Sequence, residues 1–431
     1  MRVFGRKTEI KMAKIQKPKG TLDILPSEIG VWQYIENTVR SLTKIYGFSE
    51  IRMPTFESTE LFCRGVGDTT DVVGKEMYTF IDKDGSSLSL RPEGTAGVAR
   101  SVIENGLYAG AMPLKLFYLS NFFRREKPQA GRSREFWQFG TELYGSSSPE
   151  ADAQVIMLAD SLFKKLGLTK VTLRINSIGC KECRPSFRNA LIDYFSKYES
   201  ELCDTCKERL RKNPLRVLDC KSPICSGIAK DAPKTLEHLC GGCETHFEKL
   251  KALLDKCGVQ YVVDPSIVRG LDYYTGTVFE FTVDSIGAQS TVCGGGRYDG
   301  LLSSIGGPEL PAVGFGMGIT RLIQALKDEN LIPDLDNGCD IYIAPLGENA
   351  SSEAFLLAQK LRESGISAET DVCGRSLKAQ MKYADKAGAK FVLVVGDNEI
   401  AENSAELRDM RGGDRVKVAL NVEDIIKEIK C

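Results

Sequence analysis

From Ser27 to Tyr46 the apolar positions Ile29, Trp32, Ile35, Val39, Leu42 and Ile45 recur at steps of three and four, which predicts an amphipathic helix with Gly47 as its stop. "FSEIRMPTFE" then reads as a strand with Pro54 at its exit or on an edge. "KEMYTFIDKDGSSLSLRPEGTAGVARSVIE" predicts a hairpin turning at Asp84–Gly85, then a helix led by Pro92, Glu93 and Thr95. Two long strands follow at 114–125 and 134–144, separated by a polar, basic loop from Glu126 to Ser133. A helix over 149–166 and an alternating strand in "KVTLRINSIG" complete this stretch. The strand pattern resumes at Tyr261 and runs through "CGGGRYDGLL" to "AVGFGMGITRLIQAL", a strand, a glycine-rich bend and a helix.

Two segments differ from this pattern. Residues 180–257 are charged, hold both histidines and carry cysteines in close pairs, so they read as a helical insertion. From Asp340 strands and helices alternate: "DIYIAPLG", helix 350–364, strand 366–372, helix 376–387, "KFVLVVGD", strand 416–420 and helix 422–430. That order predicts a separate small α/β domain with a mainly parallel sheet. The expected parts are a flexible arm at 1–16, a main domain built from 17–179 and 258–330, the insertion at 180–257 and a terminal domain at 338–431.

Composition narrows the function classes. The chain has 431 residues, enough for two to four domains, with a net charge of −1. A nucleic-acid partner must therefore be held by local patches rather than by a global field. No apolar run is long enough to span a membrane. The basic start "MRVFGRKTEIKMAKIQKPKG" lacks the apolar centre of a secretory signal, and Met12 is an alternative start. With 14 cysteines clustered in pairs and no signal, a reducing cytoplasm with metal binding is the expectation.

The glycine-rich runs are not nucleotide fingerprints. "GFGMGI" has Ile319 where the dinucleotide motif needs glycine, and Lys75 in "VVGKE" is followed by glutamate rather than Ser or Thr. The polar residues on strands are more telling. Arg124 ends one strand, Gln138 and Glu142 lie four apart on one face of the next, Arg269 precedes a strand and Arg321 opens a helix. Guanidinium groups in a cleft suit a polyphosphate, because they bind its oxygens in bidentate fashion. Surface ion pairing is the alternative for any one of them.

Together these stretches resemble the class II aminoacyl-tRNA synthetases. "FFRRE…RSREFWQFGTELYG" looks like that class's second motif, "AVGFGMGITRLI" its third, and the helix and strand at 27–58 its first, a dimerisation element. "RGLDYYTGTVFEF", "RPEGT" and "CGGGRYDGL" resemble the histidyl-tRNA synthetase family, over roughly residues 17–431. The resemblance implies an α+β catalytic domain on an antiparallel sheet, the helical cysteine-rich insertion and a C-terminal α/β anticodon-binding domain. It implies histidine, ATP with Mg²⁺ and histidine tRNA as partners, a homodimer and no membrane. Arg124 and Arg269 would be catalytic at the α-phosphate. Arg321 would hold the γ-phosphate, and Arg132 would also face ATP. Glu93, Thr95 and Gln138 would take the α-amino group, Glu142 and Tyr274 the imidazole, and Tyr273 with Gly294 to Gly296 the pocket wall. Gln129 and Arg134 would face the tRNA acceptor end, and Arg375 and Lys378 the anticodon.

A neutral imidazole offers one donor and one acceptor, which a carboxylate and a phenol satisfy. Amino-acid activation needs no histidine base, and the only histidines, His238 and His246, lie in the insertion.

There, Cys180/Cys183, Cys203/Cys206 and Cys240/Cys243 are C-x-x-C pairs and Cys220/Cys225 is C-x₄-C. Such spacing suits tetrahedral zinc; two four-cysteine sites would use all eight, with His238 or His246 as substitutes, and incidental buried thiols are the alternative. Lys207, Arg209, Arg211 and Lys212 could touch tRNA phosphate, with a solvated helix face as the alternative for any one of them. Three rival functions remain: a non-catalytic regulatory subunit of ATP phosphoribosyltransferase, a zinc-dependent nucleic-acid-binding protein on a dead catalytic fold, and an asparagine-synthesising paralogue of another class II enzyme, which the RGLDYY stretch disfavours.

Overall fold

The structure is a computed structural model and describes residues 14–67, 70–128, 132–218, 220, 222–267, 269–284, 291–335 and 338–430. The chain divides into two compact units, Met1–Ile332 and Pro333–Cys431.

In the first unit α1 (Pro26–Ile45) starts with Pro26 in its first turn and buries Trp32, Ile35, Val39 and Leu42 on one face. Gly47 leaves the helix at φ +74°, as a left-handed stop requires. The next segment is not one strand but two short ones. β1 (Ser49–Glu50) pairs with the large sheet, while β2 (Phe56–Ser58) pairs with a small one, and Pro54 lies in the irregular stretch between. A proline lacks the N–H a ladder needs, so the chain changes sheets there.

After α2 (Thr59–Val66), β3 (Thr79–Ile81) and β4 (Ser87–Leu90) form the expected hairpin, and β2, β4 and β3 make the small sheet. Then come α3 (Thr95–Glu104), β5 (Leu114–Phe123), β6 (Glu135–Tyr144), α4 (Pro149–Lys165) and β7 (Val171–Ser177). The insertion supplies α5 (Arg184–Ser196), α6 (Asp204–Lys212), α7 (Pro223–Ala229) and α8 (Gly241–Lys256). The chain returns through β8 (Tyr261–Val263), β9 (Thr275–Val283), β10 (Thr291–Arg297), α9 (Leu301–Ser304), β11 (Ala312–Gly318) and α10 (Ile319–Asp328).

The large sheet runs β1-β5-β6-β11-β10-β9-β7-β8. Its six central strands pair antiparallel, and each edge strand is parallel to its neighbour. One face carries the main core, where Phe139, Phe279, Phe281 and Phe315 meet Leu158, Leu162 and Phe163 of α4, Leu250 and Leu254 of α8 and Leu322 of α10. The insertion has a small core of its own: Phe187, Leu191, Phe195, Leu202, Cys206, Leu210, Val217, Cys225 and Ala232.

The second unit contains β12 (Ile341–Leu346), α11 (Glu348–Glu363), β13 (Ala368–Thr370), α12 (Leu377–Lys386), β14 (Phe391–Gly396), α13 (Asp397–Glu402), β15 (Ser404–Asp409), β16 (Arg415–Ala419) and α14 (Val422–Ile429). Its sheet order is β13-β12-β14-β15-β16. Two pairings are parallel and two antiparallel, so the expectation of a mainly parallel sheet is corrected. The antiparallel half comes from β15, whose polar run "SAELRD" buries only Ala405 and Leu407 and gives little hydrophobic signal.

Candidate functional site

The register of the large sheet builds a floor of glycines. One row across it reads Tyr118, Gly140, Gly316, Gly294 and Glu280 on β5, β6, β11, β10 and β9. The neighbouring rows set Gln138 opposite Gly318 and Glu142 opposite Gly314. Side chains on alternate residues share a face, so three polar or glycine positions of β6 look out over three glycines of β11. The glycines leave room that named side chains use. A Cβ on Gly140 would lie 2.1 Å from the Tyr118 ring, one on Gly294 2.4 Å from the Arg269 guanidinium, and one on Gly314 2.1 Å from Glu142 Oε2.

Over this floor opens a cleft of ≈ 280 Å³ lined by Arg124, Arg132, Arg269 and Arg321 together with Glu126 and Gln138. Arg124 lies just past β5; its Nε donates to the Pro92 carbonyl at 2.9 Å and its guanidinium stacks over Phe136 at 5.3 Å. Glu126, which the sequence reading passed over, lies 2.9 Å from Arg132 and 4.0 Å from Arg124. Arg269 pairs with Glu280 and stands 5.5 Å over the Tyr274 ring, while its Nε is buried without a partner. Burial works against its charge, but Tyr274 and Glu280 outweigh burial and hold the guanidinium above its usual range. Arg321 donates to the Thr291 carbonyl at 2.6 Å, and burial beside Arg132 lowers its proton affinity. Four cations converging on a glycine-floored cleft can hold several phosphate oxygens.

Beside the arginines lies a buried polar pocket. Arg91 positions its entrance: it bonds Asn121 twice at 2.7 Å and the carbonyls of Met53 and Pro54 at 2.7 and 3.1 Å, which fixes the turn carrying Glu93. Glu93 accepts from the backbone N–H groups of Thr95 and Ala96 at 2.8 and 2.9 Å, and Tyr273 donates to it at 3.4 Å. Burial raises the Glu93 carboxyl above the usual carboxylate range. Glu142 has no exposed surface. Tyr298 donates to its Oε2, its Oε1 has no partner, and burial pushes its carboxyl up to about 8. Tyr273 packs against Tyr274 at 4.7 Å and Tyr298 at 5.6 Å, and burial raises all three phenols. A deep carboxyl with a vacant oxygen beside buried phenols can read a small polar ring.

The structure thus brings together Arg124, Arg132, Arg269, Arg321, Gln138, Glu93, Thr95, Glu142, Tyr273 and Tyr274. Tyr298, Glu126 and Glu280 were missed. Strand alternation alone puts Glu280 on the same face as its cross-strand partner Gly294, so that signal was available. Arg134 is held to the chain's start, its N–H donating to the Gly20 carbonyl at 2.7 Å. Gln129 and most of the 1–16 arm lie outside the described residues. In the second unit Arg375 stacks on Tyr383 at 4.5 Å and pairs with Asp371 at 3.0 Å.

In the insertion the cysteines gather as two groups, Cys180–Cys183–Cys240–Cys243 and Cys203–Cys206–Cys220–Cys225, each with its sulfurs within 4.8 Å of one another. Neither histidine joins them, against the expectation that one could substitute: His238 faces Ser186 at 3.2 Å and His246 pairs with buried Asp152. Of the cations considered for tRNA, Arg209 pairs with Asp71, Arg211 with Glu199 and Lys207 with Asp204.

Residues 20–322 match the family model for histidyl-tRNA synthetase, and residues 340–431 match that for an anticodon binding domain. The histidine–tRNA ligase of Thermoanaerobacter pseudethanolicus is 52% identical over 413 residues, covering 96% of this chain and 99% of that protein. The enzyme of the same name from Caldanaerobacter subterraneus is 51% identical with the same coverage. The apo histidyl-tRNA synthetase structure from S. aureus superposes with a TM-score of 0.83 at 37% identity, covering 97% of this chain and all of that one. No described helix is long and apolar enough to cross a membrane.

Proposed function

The chain belongs to the histidyl-tRNA synthetase family, and on that premise we propose how its cleft performs the family's reaction. The chain is an aminoacyl-tRNA ligase that attaches histidine to tRNA at the cost of ATP. The observation that carries the residue assignments is the convergence of four arginines on a glycine floor beside the buried Glu142 pocket.

In the first step a carboxylate oxygen of histidine attacks the α-phosphorus of ATP. An oxygen–phosphorus bond forms, the bond to pyrophosphate breaks, and histidyl-adenylate and pyrophosphate result. Arg124 and Arg269 grip the α-phosphate from opposite sides and offset the charge that grows on it. Arg132 and Arg321 hold the outer phosphates. No base is required, because the attacking carboxylate is already ionised, and both histidines are engaged elsewhere. A hard cation takes one or two carboxylates plus phosphate oxygens, so Glu126 at the cleft would hold Mg²⁺, which supplies further charge neutralisation.

Glu93, Thr95 and Gln138 take the α-amino group, Glu142 and Tyr274 the two imidazole nitrogens, and Tyr273 the wall. In the second step a terminal ribose hydroxyl of the tRNA attacks the acyl carbon and AMP leaves. On the motif resemblance we assign Gln129 and Arg134 to that end, and the 338–431 domain takes the anticodon. The catalytic body comprises 17–179 and 258–330. The free thiols among the described cysteines support a reducing cytoplasm, and the paired cysteines of 180–257 would hold zinc. The exposed apolar cluster of Phe56, Phe80 and Ile81 on the small sheet supports a homodimer.

Replacing Arg269 by Ala tests the reading. It should cut histidine-dependent ATP–pyrophosphate exchange by roughly two to three orders of magnitude, the cost typical of losing a preorganised charge partner, with an unchanged circular dichroism spectrum. Near-normal exchange would remove Arg269 from the mechanism.

A further inference from the structure

The two cysteine groups are nested in the chain. The first and last pairs meet at the neck of the insertion, where the chain leaves and re-enters the large sheet, and the two inner pairs meet further out. Within the neck group Cys180 Sγ lies 3.7 Å from Cys183 Sγ and 3.8 Å from Cys240 Sγ; in the outer group Cys203 and Cys220 are 3.9 Å apart. A tetrahedral zinc with bonds of about 2.3 Å sets its sulfurs about 3.8 Å apart. Backbone amides point at the sulfurs, Cys240 N–H to Cys183 at 3.0 Å and Cys203 N–H to Cys225 at 3.3 Å, as around thiolate ligands. The insertion's own core has nine buried residues, two of them these cysteines, so it needs a staple.

Each group also has, between or next to its cysteines in the chain, an arginine that reaches the 269–274 loop. Arg184, next to Cys183, donates to the Tyr274 carbonyl, and its Nε is otherwise unpartnered. Arg216 lies between the outer ligands Cys206 and Cys220. It donates to Asp272 Oδ1 from Nε at 3.2 Å and from Nη2 at 3.0 Å, and to the Gly270 carbonyl at 2.9 Å. Asn213 adds a contact to the same carboxylate oxygen at 3.4 Å. The loop carrying Arg269, Tyr273 and Tyr274 is thus held at both ends from the insertion.

We propose that the insertion is a two-zinc unit whose neck and outer sites position Arg184 and Arg216, and that these clamp the 269–274 loop, so that metal occupancy sets histidine affinity. The metal sites stand on the cysteine geometry alone; the link to affinity rests on the assignment of Tyr274 to histidine. Arg184 and Arg216 are positioning residues and touch no reacting atom.

The test begins with metal content of full-length protein purified under reducing conditions. Two zinc ions per chain are expected, one for each cysteine group. Stripped protein refilled with Co²⁺ should show thiolate-to-cobalt charge transfer and intense tetrahedral d–d bands. Cys203→Ser with Cys206→Ser should halve the zinc. If that variant fails to fold, the Co²⁺ titration of the unaltered chain still decides the metal question. Substoichiometric zinc with no thiolate-to-cobalt band would overturn the sites. For the clamp, Arg184→Ala and Arg216→Ala should keep their zinc. Each should raise the histidine KM in pyrophosphate exchange by about tenfold, the cost of one charged hydrogen bond, with the ATP KM unchanged. An unchanged histidine KM, or equal rises for both substrates, would overturn the clamp while leaving activation and the zinc sites intact.

Discussion

Burial pushes the Glu142 carboxyl up to about 8 even though hydrogen bonds from Tyr298 and Thr95 work the other way, and Oε1 is the oxygen proposed to meet the histidine ring. The folded carboxyl releases its proton only at about 8, against a reference of 4.5. Its contribution to stability is therefore full below 4.5 and is lost as pH rises through 8. Glu142→Gln should match the unaltered protein in unfolding free energy at pH 4 and exceed it by roughly a few kcal/mol at pH 9. The same variant should raise the histidine KM by about tenfold, because the hydrogen bond proposed between the neutral carboxyl and the ring is replaced by a weaker amide one. Equal unfolding free energies at pH 9 would show that the carboxyl is not held neutral. That Glu142, Arg124, Arg269 and Arg321 lie together was legible through the resemblance of their motifs, while strand period alone placed only Gln138 and Glu142 on one face and left surface ion pairing open for each arginine. Tyr298 was not legible, although it stands in the quoted "GGGRYDG": that its phenol caps Glu142 depends on how two separate strands pack.

At the scale of elements, the glycines of β10 and β11 matter through register. Gly314 faces Glu142 across the ladder, and a Cβ there would meet Glu142 Oε2 at 2.1 Å and the Thr141 carbonyl at 2.2 Å. A backbone carbonyl cannot swing aside, so Gly314→Ala should cost roughly 1–3 kcal/mol by overpacking and raise the histidine KM with it. Retained stability with a normal KM would show that the floor has slack. Most elements followed from periodicity, including α1, the β3–β4 hairpin, β5, β6 and α4. Where the reading failed, the cause is local. Pro54 splits one apparent strand between two sheets, and the polar α13–β15 segment has too few apolar residues to show a period. The cysteine pairs were visible, but which pairs share a centre depends on how the neck closes, which spacing does not encode.

At the scale of the molecule, the chain joins a catalytic body, an insertion and a terminal α/β unit, each a separate solution to burying its own apolar face. The regulatory-subunit reading predicts a fold like this without amino-acid activation, so activity separates the two. The most direct measurement is ATP–pyrophosphate exchange on the purified chain with each amino acid in turn. The account predicts exchange with histidine alone, because on the proposed assignment an analogue without the two ring nitrogens leaves Glu142 and Tyr274 unpaired in a buried site. Folded protein that catalyses no exchange, or exchanges equally with other amino acids, would contradict it.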